Sequence, residues 1–244
     1  MSNANHDATN ANRNRWGGIL LLAGVLLITA AALLRDVGFK PDAFAGTGSA
    51  TAAAITANHG LFTSIYWLRA VGAMLACVGG LFLATRPTAT PGNFPASAFW
   101  LAFGLGQLVA TGVNILRATG YVTLAGNYAT AGPVFDATRS TMTGLAALAT
   151  VGIVGGVLVV FWNEARNAAA AIPAWLCYAG VACTLPVLAS MLLGLFGTGT
   201  GASDAATLLG YFTYGLNAVG LLFAFRLGWP NLQFVWSQPQ RSTA

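Results

Sequence analysis

Six apolar stretches, each long enough to cross a lipid bilayer, make up most of this chain of 244 residues. They run Trp16–Leu34, Leu61–Ala84, Ala98–Leu116, Ala137–Trp162, Ile172–Phe196 and Ala205–Leu227. A hydrocarbon core about 30 Å thick is crossed by about 20 residues of helix rising about 1.5 Å each. In lipid every backbone N–H and C=O must be paired within the structure, which leaves helices or closed barrels. Barrel strands alternate in polarity over about ten residues, whereas these runs are continuous and longer. The pattern predicts an all-α polytopic membrane protein, a six-helix transmembrane bundle built from three antiparallel hairpins. Only 7% of the residues are charged, against roughly 25% in soluble domains. Lipid is therefore the expected solvent, and the short connections leave no room for a second domain.

The formal net charge of +5 does not mark a nucleic-acid surface, because the basic residues are scattered singly. Their positions speak to topology instead. Arg13, Arg15, Arg86, Arg166 and Arg241 fall on one side of six crossings. The other side carries Arg35, Lys40 and Arg117, together with Asp36, Asp42, Asp136 and Asp204. Lys and Arg accumulate in cytoplasmic loops, so both termini are expected inside. The organisation expected is a disordered cytoplasmic tail over 1–15, a bundle over 16–229 and a second cytoplasmic tail over 230–244. Arg13, Arg15 and Ala30-Ala31-Ala32 have the flavour of a signal peptide. The apolar run between them exceeds the ~7–15 residues of a signal core, which favours a retained anchor. The outer connections are Arg35–Gly60, Ala118–Asp136 and Gly197–Asp204. The first contains an Ala-rich helical stretch, Ser49–His59, suited to lying on the membrane or capping the bundle. The inner turns are Thr85–Ser97, punctuated by prolines, and Asn163–Ala171.

Few residues inside the spans carry chemistry. Arg69 lies near the middle of the second span, where an arginine costs about 2.5–3.5 kcal/mol on insertion scales and must find partners. Gln107, Thr111 and Asn114 follow i, i+4, i+7 spacing and share one face of the third span. Asn217 lies near the centre of the sixth. These five form either a polar network that fixes helix register or a ligand site. An anionic lipid headgroup, a carboxylate or a quinone-like carbonyl would suit Arg69. At the outer face Arg117 and Asp136 are expected to pair, with Arg139 competing for Asp136. Such a group is a topological ion pair or a substrate gate.

Whole classes of activity lack their residues. The two histidines are His6 and His59, too few for a bis-His haem or a di-metal centre. A hydrolase reading would rest on Ser64 near His59 alone. The single lysine, Lys40, lies in a loop. No catalytic residue, cofactor or metal site is expected. Cys77, Cys177 and Cys183 read as small apolar residues rather than a redox pair. Gly79, Gly80, Gly104, Gly106, Gly152, Gly155, Gly156, Gly215 and Gly220 are expected to let helices approach closely, within the chain or between copies. Trp16, Trp67, Trp100, Trp162, Trp175 and Trp229 are placed as interfacial anchors.

Three segments carry a resemblance. They are Thr56-Ala57-Asn58-His59-Gly60-Leu61-Phe62, Gly112-Val113-Asn114-Ile115-Leu116 and Ile172-Pro173-Ala174-Trp175-Leu176-Cys177-Tyr178-Ala179-Gly180. Together they resemble an uncharacterised bacterial family of six-helix inner-membrane proteins, a domain of unknown function. The resemblance implies the architecture and a multi-pass place in the bacterial cytoplasmic membrane, and supplies no site. The function expected is that of an integral membrane structural or accessory protein. It would act through helix packing with itself as a homo-oligomer, with membrane lipid or with a membrane partner, and not with nucleic acid. The alternative is a small-molecule or lipid-binding permease with its polar site around Arg69.

Overall fold

The computed structural model describes residues 2–39, 44, 47–85, 96–166, 172–196 and 203–229. Lys40, Asp42, Arg86, most of the proline-rich turn, Gly197–Gly201 and the tail 230–244 lie outside the described residues. In chain order the elements are α1 (Ser2–Gly38), α2 (Gly48–Ala57), α3 (His59–Ala84) and α4 (Ala96–Leu116). A π-helical turn (Arg117–Tyr121) follows, then α5 (Val122–Gly126), α6 (Tyr128–Arg166), α7 (Ala174–Phe196) and α8 (Ser203–Gly228). Among the described residues there is no strand.

Among the described residues, four helical segments are long and apolar enough to cross a membrane: Arg15–Gly38, His59–Ala84, Ser97–Gly126 and Tyr128–Arg166. The fifth and sixth apolar stretches fall within α7 and α8. These two helices are 23 and 26 residues long.

Two expectations are corrected. Residues 2–15, expected to be disordered, continue α1 as helix. No Gly or Pro interrupts the chain from Ser2 to Trp16, and each residue added to an existing helix gains a hydrogen bond without a new nucleus. The second outer connection, expected over Ala118–Asp136, is helical apart from a break at Asn127. Its apolar residues explain this: Tyr121, Val122, Ala125 and Phe135 are all buried. The helix α6 therefore starts at Tyr128 and runs 39 residues, about 58 Å and well beyond one bilayer core.

Each long helix packs on the next, in the order α1, α3, α4, α6, α7, α8, and α8 returns to α1 to close a ring. Glycines set the closest approaches. A methyl built on Gly24 of α1 would lie 2.5 Å from the Gly72 carbonyl oxygen and 2.6 Å from the Ala76 nitrogen of α3. One built on Gly156 of α6 would lie 2.8 Å from the Phe99 carbonyl oxygen of α4. Without a side chain at these points the backbones touch, so dispersion, the main attraction between helices in lipid, acts at full strength. Of the glycines expected at interfaces, Gly79, Gly106 and Gly156 are packed this way, Gly80 lies against the Phe103 ring, and Gly155 and Gly220 face open space.

Two buried clusters fill the bundle. One gathers Leu21, Leu83, Trp100, Phe103, Phe161, Leu176, Phe223 and Leu227 from all six long helices. The other lies at the opposite end, beneath α2, and gathers Ile55, Phe62, Tyr66, Tyr121, Phe135 and Met142. Trp100 belongs to the first core at 3% exposure and is not an anchor. Trp16, Trp162 and Trp175 stand exposed at that same end, as interfacial side chains do. Around the outside Leu26, Leu33, Leu105, Leu108, Leu148, Leu185 and Leu222 are exposed. A belt of this kind on long helices is a surface made for lipid.

Candidate functional site

The end of the bundle that carries α2 concentrates the charge. Thr47 caps α2 by accepting from the Ala50 N–H, 3.4 Å away. The chain turns at Asn58 directly into α3, which folds α2 over the bundle and buries Thr51, Ala52 and Ile55. Opposite, Thr119 and Thr123 hydrogen-bond back to the carbonyls of Ile115 and Thr119, at 2.8 and 3.2 Å. Such back-bonding bends helices, and it coincides with the π-helical turn that begins at Arg117. A π-turn adds a residue to the repeat and re-aims the side chains beyond it.

A cavity of about 110 Å³ lies between these elements. Its polar wall comprises Thr51, Tyr66, Arg117, Tyr121, Arg139 and Thr143, and its apolar wall Phe44, Phe62 and Met142. That volume is several times what one water needs. The Arg117 guanidinium sits 5.3 Å from the centroid of the Tyr66 ring. Arg69, one turn along α3 from Tyr66, approaches the same ring at 5.6 Å. Arg139 donates to the Phe44 carbonyl at 2.9 Å. The hydroxyl of Thr51 is buried and has no hydrogen-bond partner.

The expected ion pair is not formed: neither Arg117 nor Arg139 bridges Asp136. Asp136 instead accepts from the Tyr128 hydroxyl at 3.3 Å. The reason is geometric, because Arg139 is drawn to the Phe44 carbonyl and Arg117 is held over Tyr66. Among the described residues an ion pair at this end joins Arg35 to Asp36 at 2.8 Å. Asp36 also accepts from the Tyr214 hydroxyl, tying α1 to α8.

The five polar residues of the spans form no shared side-chain hydrogen-bond network among the described residues. Arg69 is half-buried on α3 with an unpartnered Nε. Its electrostatic neighbours are Tyr66, Arg35, Arg117 and Asp36. No hydrogen bond or ion pair joins it to Gln107, Thr111, Asn114 or Asn217. Gln107 and Thr111 are buried, and the Thr111 hydroxyl donates to the Gln107 carbonyl at 2.9 Å. Asn114 and Asn217 are half-buried. His59 and Ser64 are exposed and share no hydrogen bond.

No family model, no curated protein and no solved structure matches this chain. The site must therefore be read from its own chemistry.

Sequence reasoning overlooked Thr51, Tyr66 and Tyr121. Tyr66 precedes Arg69 by three residues, a same-face spacing that was there to be read. Tyr121 was hidden by the assignment of its segment to a loop.

Arg69→Met is expected to raise stability by about 1–2 kcal/mol, read as a higher thermal midpoint in detergent. Insertion near the middle of a span disfavours arginine by about 2.5–3.5 kcal/mol. The contact with Tyr66 returns about 0.5–2 kcal/mol, and Arg35 and Arg117 repel it. A lower midpoint would assign Arg69 a structural partner and defeat the argument.

Proposed function

We propose that this chain is a six-span integral protein of a bacterial cytoplasmic membrane, folded as three antiparallel hairpins with both termini in the cytoplasm. Its role is that of a non-catalytic accessory component acting through helix packing with lipid, a partner or a second copy. The observation that carries this reading is the exposed leucine belt around a ring whose interior is closed by backbone-to-backbone glycine contacts. Interior hydroxyls support it as well. Thr111, Thr150 and Thr184 each donate to a carbonyl four residues back on their own helix, so they are engaged in helix packing. The belt suits lipid, and the inward glycines suit close packing of the helices within one copy.

Topology tests the reading directly. In a variant with Cys77, Cys177 and Cys183 replaced by Ala, a cysteine at Ser49 should react with an impermeant maleimide added to intact cells. Cysteines at Ser2 and Thr243 should react only after the membrane is opened. Labelling of Ser2 and Thr243 from opposite sides would require an odd number of crossings and overturn the six-span reading.

A second reading, a permease for small anions, is favoured by one observation: Arg69 stands in mid-span with its Nε unpartnered. It predicts uptake of a labelled carboxylate into proteoliposomes that Arg69→Gln abolishes.

A further inference from the structure

The cavity under α2 has a neighbour. On the outer face of the same helices, Leu116, Val134, Ala137, Thr141, Met142 and Leu145 line an apolar groove of about 460 Å³. Met142 belongs to both walls. Leu116 in the groove is followed directly by Arg117 in the cavity. A cationic recess thus opens beside an apolar trough, separated by one flexible side chain. We propose that this end of the bundle binds one anionic lipid, its headgroup oxyanion on Arg117 and the Thr51 hydroxyl and an acyl chain along the groove beyond Met142. The proposal takes its source of ligand from the membrane reading above.

The recess is built for an oxyanion. Arg117 makes no hydrogen bond or ion pair with a described residue, and its guanidinium lies against the face of Tyr66. Guanidinium forks match phosphate and carboxylate oxygens in pairs. Arg139 donates to the Phe44 carbonyl and lines the same wall. Thr51 adds an independent sign. Its hydroxyl is 2% exposed, lacks a partner and lines the cavity. A buried hydroxyl left unpaired is destabilising, and an oxygen acceptor in the recess would relieve it. Thr143 already donates to the Arg139 carbonyl at 2.8 Å, so it shapes the wall without competing for the ligand as a donor. Asp136 is engaged by Tyr128 and does not line the recess.

The groove distinguishes a lipid from a free ion. A soluble phosphate would use the recess and leave the trough empty. An anionic amphiphile uses both, and Met142, unbranched and flexible, can move aside as the chain passes.

Native mass spectrometry of the full-length protein tests this, with phosphatidylglycerol, phosphatidylcholine and inorganic phosphate as probes. One phosphatidylglycerol should survive detergent conditions that strip phosphatidylcholine. Arg117→Gln and Thr51→Val should each weaken its retention about tenfold, while Arg166→Gln at the opposite end leaves it unchanged. Should Arg117→Gln fail to fold, Thr51→Val keeps the shape of the wall and carries the test alone. Equal retention of phosphatidylcholine, or an equal loss in Arg166→Gln, would overturn the site as diffuse surface charge. Inorganic phosphate bound as tightly as the lipid would overturn it too, because the groove would then contribute nothing. A protein that stays in solution without detergent would fail the membrane reading before any lipid is compared.

Discussion

Gly24→Leu should abolish the folded bundle, and Gly72→Leu should do the same from the other side of the contact. Even a methyl on Gly24 would lie 2.5 Å from the Gly72 carbonyl oxygen, and a methyl on Gly72 2.8 Å from the Gly24 carbonyl oxygen. Both obstacles are backbone, which cannot rotate away as a side chain can. Relief requires α1 and α3 to move apart along the whole interface. Overpacking a core typically costs about 1–3 kcal/mol, and a leucine against backbone should exceed about 3 kcal/mol. Lipid does not oppose the separation, because apolar helices gain little hydrophobic free energy by associating in an apolar solvent. The measurement is the thermal midpoint and the monodisperse fraction on size exclusion in detergent. Gly155→Leu is the control, since nothing lies within 4 Å of a methyl there, and it should stay within about 0.5 kcal/mol of the parent. Equal damage from Gly155→Leu would show that the ring is packed differently.

The same contrast shows how far the bundle could be read before its contacts were known. Apolar runs longer than 18 residues announce helices in lipid without help from partners; each of the six falls within a helix, and among the described residues four of these are long and apolar enough to cross a membrane. The Ala-rich stretch before His59 likewise became α2. Which glycines meet other backbones was not legible. Gly155 and Gly156 are neighbours in sequence, yet only Gly156 touches α4. Rotation of α6 about its axis decides between them, and that rotation is set by α4 and α7 together rather than by α6.

The polar residues were harder. Single-helix periodicity correctly grouped Gln107 with Thr111, because spacing on one helix is local geometry. It could not say which neighbouring helix they face, and Arg69 turned toward Tyr66 and Arg117 instead. Arg117 and Asp136 looked complementary across a loop that proved to be helix. With the connection helical, the two charges were no longer free to find each other. Arg139, read as a competitor for Asp136, reached a backbone carbonyl that no charge pattern reveals.

Phe135→Ala is expected to release α2 and to cost about 3–5 kcal/mol. Phe135 is fully buried and stacks on Tyr121, with ring centroids 4.3 Å apart and planes 9° from parallel. The Tyr128 ring meets its edge at 5.4 Å. Rings continue from Tyr121 to Phe62 at 6.5 Å, and from Phe62 to Tyr66 at 4.5 Å. This aromatic floor supports Ile55 and Ala52 of α2 in one cluster. Deleting its most buried ring removes two aromatic contacts, each worth about 0.5–1.5 kcal/mol beyond burial, and opens a void under a helix only ten residues long. So short a helix does not persist once undocked. Hydrogen exchange should therefore quicken over Gly48–Ala57 far more than over Ala174–Ala189. Equal quickening in both would mean that the whole bundle loosens and that α2 is not a separable cap. Because Thr51 leaves with α2, the variant should also lose the retained phosphatidylglycerol, whereas Phe135→Leu, which keeps most of the floor, should preserve it.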